Sequence, residues 1–220
     1  MRVVRLFTAL FLGFVLAAPV VMASPDDPAT PAEVVSAVQR TYGSATSLRA
    51  DFLQVTKNKA MGTEDRQRGR ISLERPRKMR IDMGIPVTST TITDGKTLWV
   101  YNVKEKTALQ LPEVGDGAGM GGLLDDLGKV SELFDVTLVP QTPPKPSYTV
   151  QLVPKKAGGQ VKSLQLTLSK QKHVLQDLVL VDQMDNIIQM SFSMVKMNQD
   201  IPDTEFAFVP PAGVTVTKSP

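Results

Sequence analysis

The spacing of hydrophobic positions changes character along the chain. From Thr30 to Gly43 they recur at helical intervals, with Val34, Val35, Val38 and Tyr42 on one side. Thr30, Pro31 and Glu33 read as a capping box with proline in the first turn, where a missing N–H removes no helical hydrogen bond. One amphipathic helix is expected over 31–43. Beyond it the period drops to two. Leu48, Ala50 and Phe52 alternate with polar neighbours, as do Ile71 and Leu73, and then Met79, Ile81 and Met83. The alternation resumes over 98–101 and 109–111, at Tyr148, Val150 and Leu152, at Leu164, Leu166 and Leu168, and over 174–181 and 187–195. Turn chemistry separates these runs at 58–62, 94–95, 102–106, 158–159, 170–172 and 185–186. The pattern predicts about ten half-buried antiparallel strands at hairpin spacing.

One stretch breaks the rhythm. Residues 115–122 are glycine-rich, and Leu123, Leu124, Leu127 and Val130 follow at the spacing of a short apolar helix. Gly117, Gly119 and Gly122 formally match the dinucleotide fingerprint. That fingerprint requires a parallel βαβ unit, which an antiparallel meander does not supply, so a nucleotide site is rejected. Residues 141–147 carry three prolines and read as a surface loop.

The N-terminus reads as a secretory signal. Arg2 and Arg5 precede an apolar core over 6–16 that is too short to span a bilayer, and Ala23 offers a cleavage point. Residues 1–23 are therefore expected to be a cleaved signal peptide, 24–30 a flexible leader and 31–220 a single domain in the periplasm. Within 220 residues, 42% are hydrophobic and 21% charged, as in globular domains. The absence of cysteine excludes disulfides, thiolate catalysis, zinc ribbons, iron–sulfur ligation and a lipidated N-terminal cysteine. The net charge of +3 includes Arg2 and Arg5; without them 23 basic face 22 acidic residues, and nucleic acid has no electrostatic claim.

Catalytic chemistry finds little support, and neither a metal nor a cofactor is expected. The single histidine, His173, falls at a hairpin and reads as an exposed turn residue. Asp182 and Asp185 flank a turn, and Asp125 and Asp126 lie on the short helix, where such carboxylates commonly cap or face solvent. Apolar side chains are more informative: eight of the ten methionines lie beyond Ala23. Met79, Ile81 and Met83 share a strand face, as do Met190, Phe192 and Met194, which suits an adaptable lining and equally an ordinary core.

Several motifs fall together in order: Phe52-Leu53-Gln54, Gly69 leading to Glu74-Arg75-Pro76, Asp94-Gly95-Lys96-Thr97-Leu98-Trp99-Val100-Tyr101-Asn102, Leu152-Val153-Pro154-Lys155, and the apolar run over 206–216. Together they resemble the periplasmic outer-membrane lipoprotein carrier family, LolA. The resemblance implies an open, incomplete antiparallel β-barrel whose helices close a hydrophobic cavity. It also implies a monomeric, non-enzymatic carrier that takes acylated lipoproteins from an inner-membrane ABC transporter to an outer-membrane acceptor of the same fold. That acceptor is anchored through an N-terminal cysteine, which this chain lacks. On this resemblance the cavity is expected to be lined by Val38, Phe52, Leu73, Met79, Ile81, Met83, Leu98, Leu166, Met190, Phe192 and Met194. Leu123, Leu124 and Leu127 fall in the lid region, and Arg75 matches the family's arginine that hydrogen-bonds the lid. Met79 stands where the family can show phenylalanine, and the lid region is unusually rich in glycine. Two other readings remain: an envelope sensing module of the same fold, which in such regulators comes with a second domain, and a hydrolase using Asp125, Asp126 or Asp185.

Overall fold

The computed structural model describes residues 30–112, 123–141 and 145–218. The expected signal peptide, most of the leader and the glycine-rich run lie outside the described residues, as do the side chains of Leu123 and Asp125. Helix α1 spans Pro31–Gly43 and begins at the anticipated capping box: the Thr30 hydroxyl accepts from Glu33 N–H at 3.3 Å, while Thr30 N–H donates to Glu33 Oε2 at 3.0 Å. Val34, Ala37, Val38 and Tyr42 form its buried face.

Strands follow as β1 (Ser47–Asn58), β2 (Thr63–Glu74), β3 (Lys78–Met83), β4 (Ser89–Thr93), β5 (Thr97–Asn102) and β6 (Thr107–Pro112). Two short helices, α2 (Leu123–Gly128) and α3 (Val130–Leu133), come next, then β7 (Phe134–Val139), β8 (Ser147–Pro154), β9 (Val161–Ser169), β10 (Leu175–Asp182) and β11 (Ile187–Met197). A 3-10 turn (Asp203–Glu205) precedes β12 (Thr215–Lys218). All twelve strands form one sheet in the order β12-β6-β5-β4-β3-β2-β1-β11-β10-β9-β8-β7, open because β12 and β7 are its two edges.

The alternation expectation undercounts the strands for identifiable reasons. β4 reads Ser-Thr-Thr-Ile-Thr, whose β-branched side chains favour extended backbone without a hydrophobic period. β12 lies on the outside of the molecule, fully exposed, and pairs with β6 in parallel, the one departure from the antiparallel pattern.

Strand register assigns the faces. On the inner face, Leu48, Ala50 and Phe52 lie opposite Leu73, Ile71 and Gly69, and β3 continues the layer with Met79, Ile81 and Met83. Across β8, β9 and β10 the same face carries Tyr148, Val150, Leu152, Leu164, Leu166, Leu168, Leu178 and Leu180. The helices pack onto this layer, so Val34, Val38, Tyr42, Leu124, Leu127 and Val130 join its core. Gly69 is required where it stands: a Cβ there would fall 2.4 Å from the Phe52 ring and 2.5 Å from the Asp82 carbonyl oxygen.

The chain beyond β11 closes the outer face over β2 to β6 and the start of β1. Ile201 and Phe206 are buried there, and the Phe208 ring lies 5.3 Å from Trp99 and 5.4 Å from Tyr101. Glu205 pairs with Arg49 and accepts from the Ser72 hydroxyl at 2.7 Å. Lys78 ties the same segment down by donating to Asp203 and, at 2.8 Å, to Glu74. This strap explains the apolar run Leu-Trp-Val-Tyr of β5: Trp99 and Tyr101 on the outer face are covered by Phe208, while Leu98 and Val100 belong to the inner apolar layer.

Candidate functional site

The inner face is divided. Over β1, β2 and β7 to β11 the helices leave almost no space; the void bounded by Leu48, Ala50, Ile71, Leu175, Phe192 and Val195 measures about 10 Å³, room for one water at most. Over β3 to β6 the apolar layer continues but stays half-buried. Ile81, Met83, Leu98, Leu109 and Leu111 are partly exposed and Val100 is 37% exposed. Cross-strand register brings these side chains onto one face: Leu98 lies opposite Leu111, and Val100 opposite Leu109. Between β3 and β5 the same face carries Thr91 and Thr93 of β4, so the surface is apolar on β3, β5 and β6 with a threonine row between them; such a partly exposed apolar surface beside a helical cover is an arrangement in which apolar chains of a ligand can be shielded.

The expected lining residues therefore fall into three groups. Val38, Phe52, Leu73, Met79, Leu166 and Met190 are fully buried in the packed core. Ile81, Met83, Leu98 and Phe192 line its partly open margin. Met194 does not share the face of Met190 and Phe192 and is 72% exposed. The register of β1 with β11 slips between Arg49 and Asp51, so Ala50 is bridged by an extra residue, and Met194 sits in the left-handed region with φ 53°. This bulge turns Met194 outward and hands the inner position to Val195. Val100, Leu109 and Leu111 were not anticipated as lining. Parity counted from Leu98 through the 102–106 hairpin would have found them.

Of the expected lid, Leu124 and Leu127 are buried against α1 and the core, while the side chain of Leu123 lies outside the described residues. Arg75 sits where the helices meet the sheet. Its Nη1 donates to the carbonyls of Gly43 (2.9 Å) and Ala45 (2.7 Å), and its Nη2 to those of Tyr42 (3.0 Å) and Leu124 (2.7 Å). Three acceptors belong to the C-terminal end of α1 and the turn after it, where helical carbonyls lack intrahelical partners; the fourth belongs to α2. The planar fork of arginine reaches all four at once, which a lysine ammonium would not. Close contact of the two helices depends on glycine: a Cβ on Gly128 would lie 3.1 Å from Gly43 Cα and 3.4 Å from Arg75 Nη2.

Tyr42 anchors α1 to the sheet from the other side. Its hydroxyl accepts from Leu175 N–H at 2.7 Å, and burial pushes the phenol up to about 12 despite that hydrogen bond. His173 occupies the 170–173 turn as expected, but it is half-buried rather than exposed, with its ring parallel to that of Tyr148 at 6.4 Å. The Asp182 carboxylate accepts from Met184 N–H, Asn186 N–H and the Asn186 side chain, which holds it below the usual carboxylate range and makes it a turn cap. Among the described residues, no three metal-ligating side chains converge and no helix is long and apolar enough to cross a membrane.

Comparison with known proteins agrees with this geometry. The outer-membrane lipoprotein carrier protein of Coxiella burnetii (strain CbuK_Q154) is 26% identical, covering 99% of this chain and all of the relative. The protein of the same description from Legionella pneumophila (strain Corby) is 29% identical over 86% of this chain and 90% of its own. In fold, the chain is similar to an uncharacterized conserved protein from Thermus thermophilus, with a TM-score of 0.52 at 13% identity, covering 86% of this chain and 98% of that one. The model of the family described as outer membrane lipoprotein carrier protein LolA matches residues 43–209, from the end of α1 through the strap. With its open sheet, its half-exposed inner layer and this match, the chain belongs to the LolA family, whose members are carriers rather than enzymes.

Proposed function

We propose that the chain carries acylated lipoproteins across the periplasm, covering their acyl chains on the inner face of β3 to β6. The half-exposed layer of Ile81, Met83, Leu98, Val100, Leu109 and Leu111 is the observation that carries this reading. Each methylene hidden from water is worth roughly 0.8 kcal/mol, so an acyl chain left in water is penalised by roughly 10 kcal/mol. Such cargo needs cover throughout its transit. The packed half of the sheet holds the fold while the open half receives the chains, and displacement of α2 would extend the greasy surface into the core of Leu124 and Leu127. Arg75 then acts as the latch that holds α2 on α1.

The cargo is received from an inner-membrane lipoprotein-releasing ABC transporter and given up to an outer-membrane acceptor, and the carrier is a monomer exported by cleavage after Ala23. No bond need be made or broken on the carrier. Mass spectrometry of the natively purified protein tests the proposal: a retained diacyl or triacyl lipopeptide is expected. Equal retention of acylated and deacylated lipoprotein would sink it.

A further inference from the structure

At the end of the sheet remote from Arg75, the β1–β2 hairpin outruns β3. β2 is paired with β1 from Thr63 onward, whereas β3 stops opposite Gly69. On the β3 side the positions from Thr63 to Gln67 have no strand partner, Arg68 being held through its carbonyl by Gly84 N–H at 2.7 Å, so this corner of the sheet runs roughly 17 Å past β3 while β11 flanks β1 on the other side. Residues 61–68 are all exposed. The β10–β11 hairpin runs alongside, with Ile187 opposite Lys57 and Lys59 N–H donating to Asn186 Oδ1 at 3.0 Å. The β8–β9 turn joins the same tip through Gln183 N–H and the Gln160 carbonyl, 3.1 Å apart.

Two features stand together there. Met61 and Met184, at neighbouring hairpin tips, are 71% and 74% exposed. Three lysines at the same hairpins pair with two carboxylates: Lys57 pairs with Glu64 at 3.5 Å, and Lys59 and Lys162 share Asp185, while Lys155 turns to α3 and donates to the Ser131 carbonyl at 2.6 Å. On the outer side, Lys57, Lys59, Val181, Asp185 and Ile187 bound an open groove of about 410 Å³, with apolar side chains alongside cationic ones. Asp185 is engaged twice, by Lys59 at 2.7 Å and Lys162 at 2.6 Å, and it holds both ammonium groups beside the groove.

We propose that this end of the sheet is a membrane-docking tip, in which Met61 and Met184 enter the interfacial layer of a bilayer and the ammonium groups of Lys57 and Lys59 at the groove receive the phosphate of an anionic phospholipid. Exposed flexible apolar side chains beside lysines suit the interfacial layer of a bilayer, where the apolar part enters the acyl boundary and the ammonium stays at head-group level. Methionine is flexible enough to enter such a layer in several rotamers. The charge pattern fits the same occupant, since each lysine near an anionic leaflet strengthens attraction by about fivefold. This inference concerns lipid head groups at the tip and stands apart from the carrier reading, which concerns acyl chains on the inner face.

Sedimentation with two kinds of vesicle tests it, phosphatidylethanolamine containing phosphatidylglycerol and pure phosphatidylcholine, using wild type and variants with the same N-terminus. Binding to the anionic vesicles is expected, weakening as salt rises. Met61→Glu with Met184→Glu should reduce it about tenfold or more, and Lys57→Gln with Lys59→Gln and Lys162→Gln should reduce it by a similar factor and flatten the salt dependence. All five side chains lie outside the hydrophobic core, so unchanged circular dichroism is expected. Equal binding to both vesicle types, unchanged binding of both variants, or equal competition by soluble polyglutamate would overturn the proposal, the last pointing to an acidic protein partner. Lipoprotein retention measured on the same samples should stay at the wild-type level. Vesicle binding that fails while retention persists removes the docking tip alone; retention that fails in the wild type while vesicle binding persists removes the carrier reading alone.

Discussion

The two halves of the sheet are sealed on opposite faces. Around β8 to β10 the helices close the inner face, and the outer face is polar, with Gln151, Gln165 and Thr167 pointing away from the core. Around β3 to β6 the strap closes the outer face over Ile92, Trp99 and Tyr101, and the inner face stays half-open. A sheet segment apolar on both faces has one face more than its own fold requires. The strap makes the outer one structural and thereby frees the inner one for a ligand, while the helix-covered half supplies stability and leaves nothing spare.

Substitutions can break this division. The largest effect is expected in the sealed half: Leu168→Ala, at a fully buried position, should cost about 2–5 kcal/mol in denaturant unfolding, whereas Leu109→Ala on the open face should cost less than about 1 kcal/mol. Similar losses at both sites would mean that the open face is ordinary core. Tyr42 gives the sealed half a pH signature. Its folded-state value is raised to about 12 from 10.0, so the unfolded chain loses its proton first as pH rises; stability is complete below pH 10 and falls by about 2–3 kcal/mol between pH 10 and 12. Tyr42→Phe should remove that fall, at a cost of about 1–3 kcal/mol for the unpaired Leu175 N–H, as read by unfolding at successive pH values.

Arg75 stands at the border of the two halves. Arg75→Ala should speed hydrogen exchange over 123–133 by tenfold or more, from the loss of charged hydrogen bonds worth roughly 1.5–3 kcal/mol each, while exchange of β8 to β10 stays unchanged. Arg75→Lys should restore little of the protection, because one ammonium does not span four carbonyls. On the open face, Leu109→Asp should abolish cargo retention with a change in stability below about 1 kcal/mol, since the half-exposed position leaves the carboxylate access to water. The smallest effect belongs to Met194→Glu, expected within about 0.5 kcal/mol in stability and without effect on retention, because the bulge already places that side chain in water.

Helix α1 was legible to the residue, since capping box, proline and apolar period are all local and agree with one another. So were most strands and hairpins, where a buried and a solvated face write an alternating pattern and glycine or asparagine marks the turn. Local pattern failed where its premise failed. In β4 threonines hide the alternation, and in β11 one extra residue opposite Ala50 inverts the parity and sends Met194 out while Val195 turns in; β5 was anticipated as a strand although apolar residues stand on both of its faces, the outer one covered by the strap and the inner one half-open. Sequence alone therefore determined which residues would be extended and which stripes would be apolar. It could not say which apolar stripe is filled by the chain itself and which is left over, because that depends on where α1, α2 and the strap come to rest, contacts made between residues more than a hundred positions apart, as between Ser72 and Glu205 or Tyr42 and Leu175. Only packing in three dimensions decides between core and binding surface, since the two are built from the same side chains.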